Sequence, residues 1–147
     1  MQKPYPPILL GGFSQNTLSR IVNYADGWIP VAGFGPSEQL EQAINGLREG
    51  ARKANKDPLK IRIFVLTYPN VLDSSSSSSS SSTYSSSSSS EQQRLPMTGT
   101  IDQIATDIDK IKSMDVEHIM FGHVFSAVGK DMKKMMEITK QLARFAK

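Results

Sequence analysis

Gly11-Gly12-Phe13-Ser14 stands where a short apolar run ends and a helical pattern begins. These residue types suit an anion. Glycines let a phosphate approach the backbone, unpaired N–H groups and the helix dipole favour its charge, and the Ser14 hydroxyl adds a donor. The same four residues also make an ordinary tight turn with Ser14 as helix N-cap. His118 and His123, the two histidines, flank another apolar run. Extended backbone separates them by roughly 16 Å, too far to share a metal. His118 enters that run. His123 leaves it, which makes it a candidate acid–base group or ligand contact, or else an exposed loop histidine. Tyr68 leaves a third run in the same way. Trp28 could meet a ligand or could be core with its N–H satisfied. Asp26 suits a cap or a bridge at a helix–strand turn.

The elements that must position these residues read as strand then helix, four times. The first strand is Ile8-Leu9-Leu10, and Leu18, Ile21, Val22 and Ala25 line the helix after it. The second is Gly27 to Val31, where Pro30 removes one ladder donor, so that the pairing there is irregular or at a strand end. Ser37 is expected to cap a long helix carrying Leu40, Ala43, Ile44, Leu47, Ala51 and Ala54. The third strand, Ile61 to Thr67, is rich in Val, Ile and Phe and is the clearest. Thr98-Gly99-Thr100 opens the third helix, with Thr100 and Gln103 in a capping box. The fourth strand is Val116 to Phe121. Met132, Met135, Met136, Leu142 and Phe145 line the last helix as core or as a subunit contact.

Residues 74–90 are serine except for Thr83-Tyr84. Serine buries no apolar surface, so this stretch reads as a flexible linker or disordered loop, or as a stand-in for unassigned residues. The strand–helix rhythm resumes after it, so residues 1–147 read as one domain. Four βα units imply parallel strands with right-handed crossovers. The fold class is therefore α/β, half of a (βα)8 barrel, which needs eight units; the alternative is an open flavodoxin-like sheet. Four strands leave two open edges. A second copy or a complementary N-terminal half-barrel would cover them.

Three segments together resemble the luciferase-like monooxygenase family. They are Pro7 to Ser14 followed by Ala25 to Pro30; Lys56-Asp57-Pro58 before a β-branched strand; and Thr98-Gly99-Thr100 with Ile104-Ala105 and then Asp115-Val116. Their order matches the C-terminal half of the family's barrel, so the resemblance is expected for that half only. It implies a flavin- or deazaflavin-dependent oxidoreductase, with FMN or a factor 420-type deazaflavin coenzyme as cofactor and no metal. It also implies that Gly11, Gly12, Phe13, Ser14, Gln15 and Thr17 hold the cofactor phosphate, with Trp28 near the flavin or the substrate; His123 is the catalytic candidate by its position past a strand's C-terminal end. A non-catalytic half-barrel that self-associates is the competing reading.

Composition narrows the remainder. With no cysteine, there is no disulfide scaffold, thiolate metal site or cysteine nucleophile. A net charge of +3 is too slight to argue nucleic-acid binding, and the lysines of the last helix read as a solvated face. No segment approaches a bilayer span. A cytoplasmic protein without membrane or nucleic-acid partners is expected. The GxGxxG, P-loop, HExxH and GxSxG motifs are all missing.

Overall fold

A computed structural model describes residues 5–35, 37–72, 94–126 and 129–145. The loop expected at 74–90 lies outside them. The elements run β1 (Leu9–Leu10), α1 (Gln15–Tyr24), β2 (Gly27–Trp28), β3 (Val31–Ala32), α2 (Ser37–Lys53), a 3-10 turn (Pro58–Lys60), β4 (Arg62–Thr67), β5 (Asn70–Val71), β6 (Thr98–Gly99), α3 (Ile101–Lys112), β7 (His118–Phe121) and α4 (Met132–Leu142).

All the strand pairs are parallel. β1 pairs with β2, both β2 and β3 pair with β4, and β4 pairs with β7. β2 and β3 are two pieces of one strand, parted at Ile29-Pro30, where proline cannot donate to the ladder. Sheet neighbours are thus chain neighbours throughout, the order of a barrel segment. The sheet is also open, as in the flavodoxin-like alternative: β1 and β7 have no further strand beside them among the described residues.

The core lies on the helix-covered face. β4 alternates strictly, and its Ile63, Val65 and Thr67 are buried. Trp28 is in register with Ile63 and faces the same way. Against these pack Ile21 and Val22 of α1, Leu40, Ile44 and Leu47 of α2, and Ile104, Ile108 and Ile111 of α3. The 3.6-residue apolar spacing of each helix is what turns these residues onto the sheet.

Caps set the helix ends. Ser14 accepts from the Thr17 N–H, and Thr100 with Gln103 forms the expected capping box. Ser37 is the first residue of α2, not the residue before it. In α4 only part of the expected apolar side is core. Met132 and Met136 are exposed, while Leu142 is buried and Ile138 and Phe145 pack on the core.

β5 and β6 form a separate two-stranded parallel sheet that no sequence pattern foretold. A clamp beside it explains why it holds. Asp107 of α3 accepts from both terminal nitrogens of Arg94 at 2.8 Å and from the Met97 N–H at 2.7 Å. Met97 is buried and sits at φ 62°. Asp107→Asn keeps the shape but loses a charge-assisted acceptor, and is expected to cost about 1–3 kcal/mol. An unchanged urea midpoint would show that the clamp contributes nothing.

Candidate functional site

The βα turns after β1, β3, β4 and β7 gather at the C-terminal edge of the sheet, where barrel enzymes build their sites. The first of them is the Gly11-Gly12-Phe13-Ser14 turn. All four residues are exposed. Gly12 has φ +101°, which side chains other than glycine's rarely tolerate. A Cβ on Gly11 would lie 3.3 Å from the Ile29 carbonyl oxygen, so this position is tight as well.

α1 starts directly behind the turn. Ser14 Oγ lies 2.8 Å from Thr17 Oγ1 and accepts from Thr17 N at 3.2 Å. The N–H groups of Gln15 and Asn16, the first of the helix, find no protein acceptor among the described residues, as helix geometry requires. The first turn of α1 holds no acidic residue. A phosphate group therefore fits here: open N–H donors, a hydroxyl pair with one proton to spare, a positive dipole end and no carboxylate to repel it.

Trp28 stands beneath this turn. Its side chain is completely buried, its Nε1 donates to the Gly12 carbonyl at 2.8 Å, and its ring meets Phe13 edge-on at 5.3 Å. Its indole N–H is thus spent on the turn, not offered to solvent. Asp26 acts at the opposite, N-terminal end of the strands, where it ties β2 to β1 by accepting from the Ile8 N–H at 2.8 Å.

Beside Phe13 lies a cavity of about 240 Å³. Its wall is chiefly apolar and includes Phe13, Val31, Gly33, Phe34, Pro96 and Met97. Three aromatic rings cluster along the same edge. Tyr68 lies 5.6 Å from Phe34 and 4.9 Å from Phe125, and Phe34 lies 6.1 Å from Phe125. Phe34 and Phe125 are 65% and 68% exposed. Sequence reasoning singled out Tyr68 and missed the other two. The signal was available: each of the three follows the end of a strand by no more than a few residues.

His123 occupies the turn after β7. Its Nε2 lies 2.8 Å from Thr139 Oγ1, and that hydroxyl donates to the Met135 carbonyl at 2.8 Å. A hydroxyl has one proton, so Nε2 must carry the hydrogen between ring and threonine. Nδ1 is then the unprotonated nitrogen, buried without a partner among the described residues. His118 lies apart, its ring 5.1 Å from Phe64 on the other face of the sheet. Among the described residues no group of three potential metal ligands comes together.

Burial holds His123 below the ordinary histidine pKa. An unfolded histidine titrates near 6.5. Because the folded value is lower, the unfolded chain binds the proton more readily. Stability from this group is full above about pH 6.5 and declines as pH falls towards the folded value. Glu38, Glu49 and Glu117, lowered by hydrogen bonds from Lys110, Lys53 and Arg62, act in the carboxylate range below that. The urea midpoint is therefore expected to fall between pH 7 and pH 5, and to fall less in His123→Gln. Parallel pH profiles for the two proteins would refute this.

Three solved structures share the fold. An F420-dependent secondary alcohol dehydrogenase in complex with an F420-acetone adduct is 18% identical, with a TM-score of 0.62 over 95% of this chain and 50% of its own. A coenzyme F420-dependent tetrahydromethanopterin reductase from Methanopyrus kandleri is 13% identical, with a TM-score of 0.67 over 96% and 51%. A long-chain alkane monooxygenase is 15% identical, with a TM-score of 0.59 over 95% and 41%. The chain thus spans about half or less of the length of these relatives. No curated protein matches it. Among the described residues no helix is long and apolar enough to cross a membrane. The expectation that the resemblance is confined to a C-terminal half is corrected by the family match, which covers residues 1–137, nearly the whole chain. Over that span the chain matches the model of the luciferase-like monooxygenases, and it belongs to that family.

Proposed function

We propose that this chain forms, as one domain, the cofactor-phosphate side of a flavin- or deazaflavin-dependent oxidoreductase site. The observation that carries the reading is the exposed glycine turn at the start of α1, with its open N–H groups and two hydroxyls. Gly11, Gly12, Phe13, Ser14, Gln15 and Thr17 surround the phosphate. Trp28 serves by holding the Gly12 carbonyl. FMN and a deazaflavin coenzyme both present such a phosphate. Two of the similar structures are described as F420-dependent, which supports the second.

A bound cofactor of this kind supplies the hydride or oxygen chemistry itself. The chain's part is to bind, orient and shield. The apolar cavity next to Phe13 and the Phe34–Tyr68–Phe125 rings exclude water and suit an apolar part of a substrate. His123, held neutral near pH 7 by burial and with Nδ1 buried and unpartnered among the described residues, is the acid–base candidate. A second reading, a self-associating unit without catalysis, is favoured by the sheet face turned away from the helices, where Phe64, Leu66 and Met120 are half-buried and outside the core.

Titration with FMN and with a deazaflavin coenzyme tests the proposal, read through the fluorescence of Trp28, the only tryptophan. Saturable quenching by either supports it. No saturable change with both overturns it.

A further inference from the structure

The face of the sheet turned away from the helices carries Leu9, Ile29, Val31, Phe64, Leu66 and Met120, all half-buried. None belongs to the hydrophobic core or packs against it. Parallel sheets are normally covered on both faces. In a closed barrel this inner face is a packed core. The two edges that a barrel would close, β1 and β7, are also free among the described residues. What is needed is four more parallel strands in the same order, and a second copy offers them.

We propose that two copies of this chain close an eight-stranded barrel about a twofold axis, β7 of each pairing with β1 of the other. Register supports it. Following Cα partners from Leu9 leads to Gly27, then to Arg62, and by the β4–β7 pairing to the level of Val116, without stagger. An eight-stranded barrel of this type needs a shear of about eight residues, so each of two equal joints takes about four. Of the two directions, one sets β7 against the partner's helix α1. The other sets Met120 opposite the partner's Leu9. Four is even, so both side chains point into the barrel, apolar against apolar.

The same register brings His123 beside Gly12 of the partner subunit. Within one chain these residues stand at opposite edges, three strand spacings across and four residues along the strand, or roughly 19 Å apart. Across the joint they are neighbours. The proposed phosphate turn of one subunit would then meet the proposed acid–base histidine of the other, and neither subunit would hold a whole site. This last step rests on the proposed function; the barrel closure does not.

The chain has no cysteine, so introduced pairs are unambiguous. The variant Leu9→Cys/Met120→Cys is expected to run mostly as a covalent dimer after mild oxidation. Each single variant is expected to stay monomeric on the same non-reducing gel. An internal bridge is ruled out because β1 and β7 lie well beyond the roughly 7 Å Cα limit. In sedimentation the native chain is expected at twice its 16.2 kDa. Met120→Asp is expected to be monomeric with unchanged far-ultraviolet circular dichroism, since Met120 is outside the core. A monomeric native chain overturns the proposal, as does single-variant cross-linking as efficient as that of the pair. Neither readout involves a cofactor. Cross-linking without FMN or deazaflavin binding would therefore refute the proposed function and leave the barrel, and binding by a monomer the reverse.

Discussion

Gly12→Asp is expected to weaken FMN or deazaflavin binding by at least about a hundredfold, or roughly 3 kcal/mol. Two effects add. Gly12 has φ +101°, and a side chain there costs on the order of 1–3 kcal/mol or forces the turn to another shape. The new carboxylate would also stand at the positive end of α1, where the anion is meant to sit, and would repel it. Space is not the obstacle, since a Cβ would meet the Thr17 side chain at an ordinary 3.5 Å. Gly12→Ala separates the two effects: it keeps the strain and omits the charge, so its loss should be the smaller. Titration of the three proteins checks both. Binding by Gly12→Asp within twofold of the native chain would mean that the phosphate, if it binds, binds elsewhere.

The sequence made the strand–helix alternation legible because each element carried its own period. The Val, Ile and Phe of the third strand and the apolar stripe of α3 needed no partner to be recognised. Pro30 likewise announced the break between β2 and β3. The β5–β6 pair was illegible for the opposite reason. Two residues on each side have no period, and their pairing depends on Asp107, a residue that reads locally as part of a polar helix face. The methionines of α4 left core and subunit contact open because helical spacing marks a face without saying what covers it. Met132 and Met136 share a stripe with Leu142, yet only Leu142 is buried.

At the candidate site, the glycine turn and His123 stand out in the sequence by type and by position at strand ends. Their partners were not. Thr139, which fixes the histidine tautomer, lies sixteen residues further on, and no local pattern joins them. Phe34 and Phe125 follow strand ends as Tyr68 does, but an isolated aromatic in a loop carries no period, and their meeting with Tyr68 depends on the fold. Trp28 shows the limit most clearly. Its type suited both a ligand contact and a buried anchor, and the deciding fact, the bond from Nε1 to Gly12, spans sixteen residues.

That bond makes two substitutions of Trp28 informative together. Trp28→Ala removes the largest fully buried side chain and is expected to cost about 3–5 kcal/mol. Against the roughly 5–15 kcal/mol of a typical domain, this would lower the urea midpoint sharply or unfold the chain. Trp28→Phe keeps a ring in the core but cannot donate to the Gly12 carbonyl. The lost hydrogen bond should cost only about 1 kcal/mol, because that carbonyl lies in an exposed turn and water can replace the donor. Cofactor binding should suffer more than stability does. The turn would lose the one side-chain bond that ties Gly12 to the core, and would have to be ordered again on binding. Since Trp28→Phe also removes the tryptophan signal, cofactor fluorescence or calorimetry must report its affinity. If Trp28→Phe binds as the native chain does, the indole is only core; if its affinity falls while its melt barely moves, Trp28 positions the turn.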